Sequence, residues 1–162
     1  MKINPRNKIT PFIWFDNQAE AAANFYVSLF ADSHVQHVAR WPGGTPYPEG
    51  SVMSATVVLA NQEYILFNGG PHFKLDEAFS MFVVCEDQTE TDRLWYALTA
   101  DGGSPSQCGW LKDKFGVSWQ IIPKVLMQLQ DDADGVKVSR VMHAMMQMAK
   151  IDVAALERAA AG

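Results

Sequence analysis

Two stretches of this chain echo one another. Asp16…Phe25-Tyr26…Leu29-Phe30-Ala31-Asp32 is answered by Asp87…Trp95-Tyr96…Leu98-Thr99-Ala100-Asp101, with one-residue differences in spacing. The order of elements around each copy is also the same. In the first half, β-branched and aromatic residues over 9–15 predict a strand. A helix follows over 19–30, with Ala22, Tyr26, Leu29 and Phe30 at helical spacing and Asp16 or Asn17 as its cap. Next come a strand over 33–41, an irregular loop over 42–50, and strands over 52–59 and 63–68 joined by a tight turn at Ala60-Asn61-Gln62. Gly69-Gly70-Pro71 closes the unit.

The second half runs in parallel. A strand over 79–85 leads to a helix that Asp87 or Thr89 caps, and the helix runs to residue 100. A short strand near Ser106, a strand over 108–111, a turn over 113–116 and a strand over 117–122 complete it. In the last strand Val117, Trp119 and Ile121 alternate with Ser118, Gln120 and Ile122, so Gln120 leaves the sheet opposite Trp119. Each half is thus β-α-β-β-β. A half of about 60 residues has a marginal core alone, so the two sheets are expected to join and curve around a cleft suited to a small ligand. The fold class is α+β, with paired modules over about 9–70 and 79–123 forming a domain over 1–123. Residues 124–162 form a helical extension: apolar stripes such as Val138, Val141, Met142 and Met145, then Val153 and Leu156, predict two or three short helices. Gly135 separates the first two and Asp152 caps the third. These stripes must cover a sheet or pack on a second subunit.

Charge narrows the partners. A net charge of −5 with no basic patch argues against nucleic acid and anionic membranes, and no apolar run approaches the ~20 residues that span a bilayer. The first eight residues carry charge with no signal-type hydrophobic segment behind them. Cys85 and Cys108 make neither a metal-type spacing nor a disulfide framework. A cytoplasmic protein is the expectation.

Ile-Thr-Pro-Phe-Ile-Trp-Phe-Asp over 9–16, Asn-Gly-Gly-Pro-His-Phe over 68–73, and Cys108-Gly-Trp110 followed by Trp119-Gln120 give the chain a resemblance. It resembles the PhnB-like branch of the vicinal oxygen chelate superfamily, which includes glyoxalase I, extradiol dioxygenases and fosfomycin- and bleomycin-resistance proteins. That branch is often labelled demethylubiquinone methyltransferase-like, and the tail over 125–156 is similar to one seen in many members. The resemblance implies paired modules and a cleft, and in the superfamily's metal enzymes His or Glu ligands on the first and last strands of each unit. The matching positions here offer Thr10 and Phe12, Asn68, then Phe79, Ser80 and Met81, and finally Gln120 in place of glutamate. Such a set supplies no charge to offset a divalent ion's desolvation, so neither a metal nor another cofactor is expected.

Other residues invite chemistry less strongly. His34 and His37, three apart on one strand, are expected to face opposite sides. His72 can reach the cleft mouth, and His143 sits among methionines as a structural histidine. Cys108 is the one nucleophile to weigh, yet no base accompanies it, so an inert thiol is expected. Asp16 and Asp113 read as a cap and a turn-former. Strand rings (Trp14, Trp41, Trp110, Trp119, Phe67, Phe82) fill a core or line a cleft. The candidate lining is Thr10, Phe12, Trp14, Asn68, His72, Trp110 and Gln120, suited to a planar, neutral or cationic organic molecule. None of the three Gly-Gly pairs opens a helix after a buried parallel strand, as a nucleotide-binding methyltransferase requires. Three functions follow: a metal-free binding protein for a small organic ligand, a metal-dependent lyase, isomerase or dioxygenase, or a structural dimer with a vestigial cleft. A homodimer is expected in each case.

Overall fold

The computed structural model describes residues 7–162; most of the N-terminal segment read above lies outside the described residues. The chain divides between Leu75 and Asp76 into two compact units. In the first, strands β1 (Phe12–Phe15), β2 (His34–Arg40), β3 (Val52–Leu59) and β4 (Gln62–Asn68) form a sheet in the order β1-β4-β3-β2, with helix α1 (Ala19–Leu29) between β1 and β2. β1 runs parallel to β4, and the other pairs are antiparallel. Ala60 and Asn61 take left-handed φ values of 45° and 68° in the β3–β4 turn, which suits a two-residue hairpin.

The second unit repeats the topology. Strands β5 (Ser80–Cys85), β6 (Ser104–Pro105), β7 (Trp110–Lys112) and β8 (Ser118–Pro123) are ordered β5-β8-β7-β6, with α2 (Gln88–Thr99) after β5. The mixed sheets, each carrying one helix of its β-α-β-β-β unit, establish the α+β class. Helices α3 (Lys124–Gln130), α4 (Gly135–Met145) and α5 (Val153–Ala161) follow.

The core of each unit lies between helix and sheet. Ala19, Ala22, Ala23 and Tyr26 of α1 are buried, and Ala55, Val57 and Leu66 are fully buried in the sheet. Small alanines allow the helix to approach closely. In the second unit Leu94 and Leu98 of α2 are buried with Trp119 and Ile121 of β8. Trp119 therefore faces the core and Gln120 the opposite side, as the alternation requires.

Three local expectations need correction. Neither Asp16 nor Asn17 caps α1: its N-cap is Gln18, which makes no side-chain cap bond, and Asn68 Oδ1 of β4 accepts from Ala19 N at 2.8 Å instead. A strand-end amide reaches the helix from across the sheet, which no local reading of a cap finds. The strand over 108–111 begins only at Trp110, because Cys108 and Gly109 adopt φ of 57° and 83°. Their N–H groups leave the sheet and donate to Met148 and Ala149 carbonyls at 2.7 and 2.8 Å. The short strand expected near Ser106 is Ser104–Pro105. Finally, a bulge shifts the register between Val35 and His37, so His34 pairs with Val58 and His37 with Thr56. One extra residue puts both histidines on the Thr56 face.

The caps expected at Asp87 and Asp152 form. Asp87 Oδ1 accepts from Glu90 N at 2.9 Å, while Glu90 Oε2 accepts from Glu86 N at 2.8 Å. Asp134 and Asp152 cap α4 and α5.

Candidate functional site

In the first unit, alternation divides the sheet into a face against α1 and an open face. Cross-strand partners share a face, so Trp14 opposite Phe67, Phe12 opposite Ile65, Ser54 opposite Phe67 and Thr56 opposite Ile65 all lie on the open one. The rings meet there. Phe12 and Trp14 lie 5.3 and 5.2 Å from the Phe67 centroid, and Phe73 meets Trp14 edge-on at 5.0 Å. Trp14 is locked from behind: its Nε1 donates to the Gly70 carbonyl at 2.8 Å, and its ring lies flat over Gly69. A Cβ on Gly69 would fall 2.1 Å from the indole. Gly69→Ala is therefore expected to expel the ring at a cost of about 1–3 kcal/mol, seen as a lowered thermal midpoint with a changed Trp fluorescence maximum.

Polar groups on this face are few and buried. The hydroxyls of Ser54 and Thr56, each 1% exposed, make no hydrogen bond within the described chain. Glu63 is 3% exposed, with Oε1 3.5 Å from Thr10 Oγ1. Sequence reading passed over all three. The available signal was the alternation of β3, where Ser54 and Thr56 fall on one face of an otherwise apolar strand, and of β4, where Glu63 shares the parity of Ile65 and Phe67.

The candidates thus separate. Thr10, Phe12 and Trp14 sit at or on the open face. Asn68 does not: its Oδ1 caps α1 and its Nδ2 donates to the Val52 carbonyl at 3.1 Å. Its amide is spent on structure. His72 is exposed in the turn after Gly70.

In the second unit, Gln120 pairs across with both Trp110 and Phe82 on the face away from α2. Gln120 Nε2 donates to Ser80 Oγ at 2.8 Å, and Ser118 Oγ on the same face is buried without a partner. Asp113 is a turn-former, as read: Oδ1 accepts from Phe115 N and Val117 N, and Oδ2 from Trp119 Nε1 at 2.8 Å.

The donor set does not fit the superfamily's metal. Asn68 is occupied, Gln120 is a neutral amide, and no three His, Cys, Asp or Glu side chains converge among the described residues. The thiols are separated by burial. Desolvation pushes the wholly buried Cys85 up to about 11, whereas Cys108 is partly exposed. Alkylation by iodoacetamide at pH 8 is expected to modify Cys108 well before Cys85, as peptide mass mapping reads directly.

The family described as 3-demethylubiquinone-9 3-methyltransferase matches residues 7–122. The PhnB protein from Bacillus cereus is 36% identical, with a TM-score of 0.67, over 72% of this chain and 99% of that one. Protein PA1353 from Pseudomonas aeruginosa is similar in fold, at 22% identity and a TM-score of 0.56, over 72% of this chain and 97% of its own. No curated protein matches. The family match stops short of α3, α4 and α5.

Proposed function

The chain belongs to the 3-demethylubiquinone-9 3-methyltransferase family, the PhnB-like branch of the vicinal oxygen chelate superfamily, and on that footing we propose that it is a metal-free binding protein for a small, largely apolar organic molecule. The observation that carries this reading is the cluster of rings on the open face, where Phe12 and Trp14 meet Phe67 and Phe73 meets Trp14 edge-on. A ligand with a planar apolar body would cover these rings. Phe12, half exposed, and Phe73, at 67%, are ring surface that such a body would bury. The candidates on the second unit, Trp110 and Gln120, offer a further ring and amide for the same class of ligand.

The family's printed description names methyl transfer, which this reading does not include. A nucleotide-type methyl donor calls for a glycine-rich turn opening a helix after a parallel strand. Here β1 leads into α1 through Asp16-Asn17-Gln18, and β5 into α2 through Glu86-Asp87, without glycine. Two chains pairing about a two-fold axis belong to the same proposal, supported by the exposed Phe82, Val84 and Phe79 of the second unit. No helix among the described residues is long and apolar enough to cross a membrane.

Native mass spectrometry with elemental analysis, on protein purified without added metal, tests the reading. The expected result is an organic mass retained by a folded dimer, no stoichiometric metal, and loss of that mass in Phe67→Ala. One metal per chain would overturn it.

A further inference from the structure

On the helix side of the first sheet, away from the open face, lies a groove of about 680 Å³ between α1 and the loop that joins β2 to β3. Asp16, Glu20 and Asn24 line one wall, and Trp41, Tyr47 and Pro48 the other. Glu20, Ala21 and Asn24 fall on one stripe of α1, just after Asn17, so this side of the groove carries Asn17, Glu20 and Asn24 as polar groups. Opposite it Trp41 and Tyr47 stack at 4.2 Å with their planes 12° apart.

The groove is braced on every side. Trp41 N donates to the Ser51 carbonyl at 2.9 Å and Gly50 N to the Trp41 carbonyl at 3.0 Å, which closes the loop at its base. Arg40 ties that loop to the helix, donating to the Gly50 carbonyl at 3.1 Å and to Glu20 Oε1 at 3.2 Å. Asn68 joins the floor to both walls through Ala19 N and the Val52 carbonyl. The walls therefore keep their separation without a ligand, which lowers the ordering cost of binding.

Its chemistry is selective. Arg40 offsets Glu20, while the Asp16 carboxylate has no cationic or hydrogen-bonding side-chain partner within the described chain. A stacked aromatic wall facing an uncompensated carboxylate attracts a planar or quaternary cation through ring quadrupole and charge together. We propose that this groove is a second binding site, for a small organic cation such as an aryl-ammonium or quaternary ammonium compound. It is independent of the ligand proposed for the open face.

Titration with benzyltrimethylammonium, followed by NMR of the indole N–H signals, tests the proposal, with benzyl alcohol as the neutral counterpart. The Trp41 indole is expected to shift and saturate, with the cation bound about tenfold more tightly than the alcohol. Asp16→Asn should remove most of that preference, Tyr47→Ala should weaken binding of both, and Val136→Ala on α4, outside both proposed sites, should change neither. Equal affinity for the two probes, shifts at Trp14 rather than Trp41, or no saturable shift at Trp41 would overturn it.

Discussion

Asp113→Ala is expected to destabilise the second unit by about 3–5 kcal/mol, because one buried carboxylate organises both the β7–β8 turn and the core ring behind it. The side chain is 3% exposed and accepts from Phe115 N at 2.8 Å, Val117 N at 3.0 Å and Trp119 Nε1 at 2.8 Å. Bonds to a charged acceptor contribute about 1.5–3 kcal/mol each, less than additively within one network. Alanine leaves the Val117 amide and the Trp119 indole buried without an acceptor. Asp113→Asn separates shape from charge: Oδ1 can keep the two amides, while the carboxamide NH₂ meets the indole donor head-on, so an intermediate loss is expected. Urea denaturation together with hydrogen exchange at the Val117–Ile122 amides reads both variants. A loss below about 1 kcal/mol for alanine would show that the turn holds without the carboxylate.

The second large effect is expected in the extension. Ile151, fully buried, packs with Ile122, Leu126, Val141 and Leu156, and its Cγ1 lies 3.2 Å from where a Cβ on Gly109 would stand. Ile151→Ala should cost about 2–5 kcal/mol, the range for deleting buried aliphatic groups whose surroundings cannot collapse. Collapse is hindered here by polar bonds on both sides of the residue. Gln88 Nε2 donates to the Ile151 carbonyl at 3.1 Å and its Oε1 accepts from Val153 N at 2.7 Å. Lys150 donates to Asp92 at 2.5 Å and lies 4.7 Å from the Tyr96 ring centroid. That bond from Lys150 holds the Asp92 carboxyl below its usual range. Val136→Ala, at a residue 67% exposed on α4, is the control and should change stability by less than about 0.5 kcal/mol. Equal, small effects at both positions would mean that the extension is not part of the core of its unit.

The extension packs on the second unit, through backbone bonds from Cys108 and Gly109 to Met148 and Ala149 and through the Ile122 cluster.

How much was legible depended on whether the determining contacts were local. The repeat, the helical stripes of α1 and α2, the opposite faces of Trp119 and Gln120, and the turn role of Asp113 follow from periodicity and turn chemistry over a few residues. These alone determined the β-α-β-β-β order and the α+β class. The bulge near Gln36 was not legible, because register is a property of two strands, and one extra residue reversed the expected facing of His37 relative to His34.

The candidate site divides along the same line. Phe12 and Trp14 were read correctly as one face, since alternation is local. Asn68 stands at the right strand end, yet only the packed structure shows its amide consumed by Ala19 N and the Val52 carbonyl, 49 and 16 residues away in sequence. Ser54, Thr56 and Glu63 stand out only through their burial, which depends on what covers them. The sequence determined which residue types the strands carry and which side each one faces. Tertiary structure decided which polar atoms are already paired and which are left waiting for a partner, because hydrogen-bond saturation is settled between distant segments only when the chain has folded.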